Sequence, residues 1–285
     1  MRLSGREIAD KLYGELKERV EKLKKRNIVP HLVVILVGEH PASVAYVTQK
    51  QKKGEDIGAK VTVLRYETSV TTEELEEKVK LLNDDPFVHG ILIQRPLPDH
   101  VDVDRLEMLT DPQKDIDGFH PDSPYTLPLP LAVVKILEEV YKLKTTQKPS
   151  GFRYWLQKQN IVLIGKGPTG GGPIIEHLKS LTIIPHLIDS KTENPQKITK
   201  QADILISAVG RKETVIPEMI KKDVILISVG INRDGNNKLH GDYDEEQIKD
   251  IASYYTPTPG GVGPVNVAML MENLLSATEK QTLTK

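Results

Sequence analysis

The stretch richest in chemistry runs from Ile161 to Pro173, Ile-Val-Leu-Ile-Gly-Lys-Gly-Pro-Thr-Gly-Gly-Gly-Pro. An apolar tetrapeptide enters a glycine cluster in which Gly165, Gly167 and Gly170 satisfy G-x-G-x-x-G. Glycines permit positive φ and let a pyrophosphate approach bare backbone, while the amides of a following helix carry partial positive charge. A bound dinucleotide is the chemistry this arrangement serves, and a tight strand turn with no ligand is the plainer alternative. No Lys-Ser or Lys-Thr follows the last glycine, so nucleoside triphosphate chemistry is disfavoured. Elsewhere, Tyr46 and Lys50 stand at i,i+4 in a segment that reads as helix, placing a phenol and an amine on one face. A solvated, lysine-rich surface fits the same spacing. Gln94 ends an apolar run, where an amide could orient a reacting group or cap a loop, and Asp117 before Gly118 suits a turn as well as a ligand.

The elements that must carry these residues follow from periodicity. Ser4 and Glu7 form a capping box ahead of Ile8, Leu12, Leu16, Val20 and Leu23 at helical spacing. Leu32 to Val37 is a continuous apolar run, as in a parallel strand covered on both faces. Ser43 to Gly58 reads as helix, Val61 to Leu64 as a short strand, and Thr71 with Glu74 as a second capping box. His89 to Gln94 is a further strand. Prolines 121, 124, 128 and 130 mark a hinge before a helix from Leu131 to Tyr141, and Gln147 to Gly151 reads as another boundary. Past the glycine motif, Ile183 to Ile188 reads as a strand ending in Asp189, with Pro185 weakening its pairing. Ile204 to Val209 and Val224 to Val229 are strands ending at Gly210 and Gly230, and a Pro/Gly loop from Thr256 to Pro264 precedes a last helix. Strands ending in glycine and interleaved with helices predict parallel sheets with right-handed crossovers, an α/β protein.

Composition excludes several classes. At 285 residues the chain suits two domains, and 38% hydrophobic residues suffice for their cores. Its 39 basic and 40 acidic residues leave a formal charge of -1, so no global field recruits nucleic acid or an acidic membrane. There is no cysteine, which fits a reducing compartment. The eight histidines show no metal-ligand spacing, and G-x-S-x-G is absent. The N-terminus lacks a signal-peptide apolar core, and no run approaches the ~18 apolar residues of a membrane span, so a cytoplasmic protein is expected.

Several motifs stand together in order: the helix with Tyr46 and Lys50; Ile93-Gln94-Arg95-Pro96-Leu97-Pro98; Lys114-Asp115-Ile116-Asp117-Gly118-Phe119-His120-Pro121; Ala202 to Gly210; Val229-Gly230-Ile231-Asn232-Arg233; and Pro259-Gly260-Gly261-Val262-Gly263-Pro264. With these the chain resembles, over nearly its whole length, the bifunctional methylenetetrahydrofolate dehydrogenase/methenyltetrahydrofolate cyclohydrolases. The resemblance implies an N-terminal α/β folate domain completed by the last helix (1–122 and 264–285), a Rossmann NAD(P) domain (123–263), and a cleft between them. It also implies a homodimer. By resemblance Lys50 is the central catalytic residue, Tyr46 packs on the folate, Gln94 supports Lys50, and Asp117 holds the donor edge of the pterin. Pro96, Leu97, Pro259, Gly260, Gly263 and Pro264 complete the substrate contacts. Gly165, Lys166, Gly167, Thr169, Gly170, Gly171, Asp189, Ser190, Val209, Gly210 and Ile231 form the cofactor site, with no metal.

Such chemistry suits these residue types. Hydride removal asks mainly for orientation, whereas hydrolysis needs a group that removes and delivers protons, which a buried Lys with a pKa lowered from about 10.4 can do. Departures concentrate at the cofactor. The family loop Gly-Arg-Ser-x-x-Val-Gly-x-Pro is here Gly165-Lys166-Gly167-Pro168-Thr169-Gly170-Gly171-Gly172-Pro173, Ser228 replaces an Asp, and Asn266 replaces a Thr. Lys166 in place of Arg still offers a charge to the 2′-phosphate of NADP, beside Ser190 and Lys191, while Asp189 stands where an acid accepts the ribose hydroxyls of NAD. NADP is expected on family habit, with NAD the alternative. A dehydrogenase of another small substrate, or a non-catalytic relative, would leave Lys50, Gln94 and Asp117 without a task.

Overall fold

The computed structural model describes residues 1–145, 151–235 and 238–283, so most of the Gln147 to Gly151 boundary tract lies outside the described residues. In chain order the elements are α1 (Gly5–Lys24), β1 (His31–Val37), α2 (Pro41–Asp56), β2 (Lys60–Tyr66), α3 (Thr72–Asp84), β3 (Gly90–Ile93), α4 (Val103–Leu109), α5 (Pro128–Lys144), α6 (Phe152–Gln157), β4 (Ile161–Ile164), α7 (Gly171–Ser180), β5 (His186–Ile188), α8 (Pro195–Thr199), β6 (Ile204–Ser207), β7 (Ile225–Ser228), β8 (Asn232–Arg233), β9 (Leu239–His240), α9 (Glu245–Ile248), β10 (Tyr254–Tyr255) and α10 (Val262–Leu283). They fall into two compact units. One comprises Asp10–Pro128 with Val267–Lys285, the other Met1–Ala9 with Leu129–Asn266.

In the first unit a three-stranded parallel sheet has the order β2-β1-β3. All seven residues of β1 are buried, which is why it runs apolar from Leu32 to Val37 and does not alternate. Each such Val, Leu or Ile contributes about 1.5–3 kcal/mol by leaving water. One face packs Val34 and Leu36 with Leu16, Val20, Val47, Leu270 and Leu274, and the other packs Val33, Ile35 and Val37 with Leu75, Val79 and Leu106. The α3 start has the capping box expected of it: the Glu74 amide donates to Thr71 Oγ1 at 3.2 Å, and the Thr71 amide to Glu74 Oε2 at 2.8 Å.

The second unit holds a five-stranded parallel sheet, β10-β7-β6-β4-β5. Strand β4 has β5 on one side and β6 on the other, so the winding reverses there, and the carboxyl ends of β4 and β6 flank a topological switch point. Strand β5 begins only at His186, after Pro185, which cannot donate to a ladder. The first nine residues pack with this unit: the Leu3 amide donates to the Tyr255 carbonyl at 2.8 Å, and a Cβ on Gly5 would lie 1.7 Å from the Gly261 carbonyl oxygen. The short strand β10, which that contact extends, was not foreseen because Tyr254-Tyr255 is too brief to show alternation. Among the described residues no helix is long and apolar enough to cross a membrane.

Candidate active site

Helix α2 turns Ser43, Val47, Lys50 and Gly54 toward the sheet, a stripe at i, i+4, i+7 and i+11. Lys50 is therefore buried at 6% exposure, although Lys52 beside it is exposed. Its Nζ donates to Gln94 Oε1 at 3.0 Å and lies 4.9 Å from the centroid of the Tyr46 ring. Gln94 continues β3, its amide donating to the Ile35 carbonyl at 2.9 Å. The Gln94 side-chain nitrogen donates to the Arg95 carbonyl at 2.6 Å, so its oxygen is the end presented to Lys50. Burial lowers the Lys50 pKa from the ordinary lysine value, a shift opposed by the negative charge of Asp117. Burial raises Asp117 from the usual carboxylate range, against the pull of Lys50 and Arg95.

Asp117 is held by residues to which the sequence assigned no role. The Asp115 carboxylate is buried and accepts from the Gly118 amide at 3.0 Å and the His120 amide at 2.8 Å, closing the turn around Asp117. Lys114 donates to the carbonyls of Leu82, Asn83 and Asp85 at 2.8, 2.6 and 2.7 Å, capping the end of α3 and tying the turn to it. From α10, Asn273 donates to the Ile116 carbonyl at 2.9 Å and to that of Thr126 at 2.9 Å. Glu107 accepts from Arg95 Nε at 2.8 Å, and the Arg95 guanidinium lies 4.5 Å from the centre of the Phe119 ring. Glu107, Asp115, Asp117 and Phe119 line a small recess open to solvent. Polar partners this far apart in sequence, such as Asn273 and Ile116, leave no local signal. Of the remaining residues expected at the substrate, Pro96 is exposed and Leu97 packs beside the β3 core. Pro259, Gly260, Gly263 and Pro264 belong to the other unit.

In that unit the glycine loop joins β4 to α7 at the switch point. Gly165 has φ +95°, and a Cβ there would lie 2.8 Å from the Ala208 carbonyl oxygen. A Cβ on Gly171 would lie 2.0 Å from the carbonyl oxygen of Gly165, so only bare backbone lets the helix start this close to the strand. Lys166, Gly167 and Thr169 are exposed along the loop, and Gly167 has open space where a side chain would be. An exposed, side-chain-poor loop opening a ten-residue helix fits a dinucleotide pyrophosphate. Lys166 Nζ donates to Asp189 Oδ2 at 2.7 Å, and Ser190 is exposed beside that carboxylate.

At the end of β6, Val209 and Gly210 are held by a residue absent from the sequence expectations. The buried carboxylate of Asp242 accepts from the amides of Val209, Gly210 and Arg211 at 3.3, 2.7 and 3.0 Å. Ser228 Oγ accepts from the Asp242 amide at 2.9 Å, so the Ser that departs from the family pattern locks this knot. Ile231 is exposed next to it, its carbonyl oxygen 3.2 Å from where a Gly210 Cβ would lie.

These two sets of residues match two family models. The catalytic domain of tetrahydrofolate dehydrogenase/cyclohydrolase matches residues 3–117, and its NAD(P)-binding domain matches 131–282. The chain belongs to the tetrahydrofolate dehydrogenase/cyclohydrolase family. A bifunctional protein FolD of Lactococcus lactis subsp. lactis is 37% identical over 288 residues, covering 98% of this chain and 97% of its own. One from Streptococcus pneumoniae is 38% identical over 282 residues, covering 96% of each. The crystal structure of the bifunctional FolD methylenetetrahydrofolate dehydrogenase/cyclohydrolase of Campylobacter jejuni superposes with TM-score 0.90 at 36% identity, covering 98% of this chain and 99% of that one. A Trypanosoma brucei member solved with NADP and an inhibitor gives 0.88 at 28% identity, covering 99% and 98%. As a tetrahydrofolate dehydrogenase/cyclohydrolase relative, this chain carries both the catalytic and the NAD(P)-binding domain of the family.

Proposed function

We propose that this chain oxidises 5,10-methylenetetrahydrofolate to 5,10-methenyltetrahydrofolate with NADP, and then hydrolyses the methenyl product to 10-formyltetrahydrofolate. The observation carrying this reading is the buried Lys50 amine, hydrogen-bonded to Gln94 at 3.0 Å beside the Tyr46 ring. A lysine desolvated in this way holds a proton loosely enough to take one from water and to give one back.

In the first step a bound dinucleotide would supply the hydride acceptor for the bridging carbon of the folate. The chain's residues have little acid or base work there, because the two neighbouring nitrogens stabilise the cation that forms. Tyr46 packs on the folate near the reacting carbon, and Asp117 accepts from the amide and amine of the pterin. By family resemblance Pro96, Leu97, Pro259, Gly260, Gly263 and Pro264 are further substrate contacts. In the second step water adds to the methenyl carbon. Lys50 in its neutral form takes the proton that this water loses, a carbon–nitrogen bond of the ring breaks, and the departing nitrogen gains a proton that Lys50 can return. Gln94 keeps the amine aimed while its charge changes.

Gly165, Gly167, Gly170 and Gly171 would cradle the pyrophosphate, with Thr169, Ser190, Val209, Gly210 and Ile231 around it. Lys166 would meet the 2′-phosphate of NADP, and NAD is the alternative dinucleotide. The reading places the enzyme in the cytoplasm, on the absence of a signal-peptide or membrane-spanning run in the sequence, and as a homodimer, on family resemblance. Light scattering of the purified chain that returned only a monomer would contradict the dimer. The catalytic reading is tested by supplying methylenetetrahydrofolate and NADP together. Folate-dependent cofactor reduction followed by decay of methenyl absorbance is expected, and no reduction would contradict it.

A further inference from the structure

Strands β4 and β5 pair in register, Ile164 opposite Ile188, so the loop that begins at Gly165 and the carboxylate of Asp189 leave the sheet at the same level. Lys166 Nζ reaches across to Asp189 Oδ2 at 2.7 Å. The other carboxylate oxygen accepts from the Lys191 amide at 3.0 Å and from Thr192 Oγ1 at 3.2 Å. The acid is thus fixed by three donors, and these contacts, that of Lys166 foremost, hold its pKa at about 2. Lys166 is 61% exposed on the side-chain scale and is held by this one contact, so it is the less restrained member of the pair.

The pair has opposite consequences for the two dinucleotides. A 2′-phosphate arriving at the end of β5 must draw Lys166 away from Asp189, and it then sits beside a fixed carboxylate of like charge. An unphosphorylated ribose can donate its hydroxyls to Asp189 and leave the ion pair whole. We propose that Asp189 is a specificity-determining residue that opposes NADP and favours NAD, with Lys166 as its counterweight, so that the two together leave this enzyme with weak discrimination between the cofactors. This rests on the reading of the glycine loop as the NAD(P) site.

The test is isothermal titration of the full chain with NADP and with NAD, without folate, for the wild type, Asp189→Asn and Lys166→Met. Asparagine keeps an oxygen for the Lys191 amide, and circular dichroism of each variant checks that it folds. The wild-type Kd values should lie within about tenfold of one another. Asp189→Asn should tighten NADP about five- to tenfold and leave NAD unimproved, an effect that shrinks in high salt. Lys166→Met should weaken NADP about tenfold or more and leave NAD little changed. A folded Asp189→Asn whose NADP/NAD ratio stays within about twofold of wild type would overturn the proposal and leave the cofactor site standing. Failure of the wild type to bind either dinucleotide would overturn the cofactor reading and the proposal together.

Discussion

At the scale of residues, the buried polar groups decide what the site can do. Lys50, Lys52 and Lys53 read alike in the sequence, and only packing separates them: Lys50 lies on the stripe of α2 that meets the sheet. Spacing alone therefore favours a solvated surface over a site, and family resemblance reverses that choice. The buried amine has a consequence for stability. The folded state binds this proton less tightly than the unfolded chain, so stability rises with pH between the depressed Lys50 pKa and the ordinary value of 10.5. Lys50→Met removes that dependence, and the variant should gain relative to wild type most at neutral pH, with the difference narrowing toward pH 10. Urea melts at both pH values check this, and a difference independent of pH would contradict it. Asp117→Ala should chiefly weaken folate binding, by about 1.5–3 kcal/mol, because the pterin loses a charged acceptor. Titration with a folate analogue measures it, and unchanged affinity would count against the role.

At the scale of elements, most of the framework was legible. Continuous apolar runs announced β1, β4, β6 and β7, and the Thr71 and Glu74 spacing announced the start of α3, because burial and capping write themselves into local sequence. The supports of the site were not legible. Lys114 reads as one more lysine in a turn, yet it satisfies three carbonyls at the end of α3. Lys114→Ala should destabilise the protein by about 2–3 kcal/mol and weaken folate binding through the displaced Asp117 turn. Thermal melts and analogue titration read the two effects, and a stable variant with full affinity would contradict the tie. Asp242 leaves no local signal for the same reason, since its three amide donors lie more than thirty residues away. The loop itself depends on missing side chains. Gly171→Ala puts a Cβ 2.0 Å from a carbonyl oxygen, and NADP affinity should fall at least tenfold in a chain whose folate affinity is kept. Unchanged cofactor binding would show that the loop is not the site.

At the scale of the whole molecule, a net charge of -1 offers no general attraction for anionic ligands, so folate and dinucleotide must each be recognised locally. The two compact units share residues 10–117 and 131–266 with the two family domains, one carrying the residues around Lys50 and the other those around Gly165. Hydrogen exchange should follow that division: NADP should protect residues 165–172 and 208–210, and a folate analogue residues 46–50, 94–97 and 115–118. Protection of one common set by either ligand alone would contradict the assignment. In the proposed reaction a single buried amine, that of Lys50, performs the hydrolytic half. Supplying methenyltetrahydrofolate to wild-type and Lys50→Met protein and following its decay tests this role. Decay slowed by at least about 100-fold in a variant that remains folded is the predicted result, and undiminished hydrolysis would contradict it.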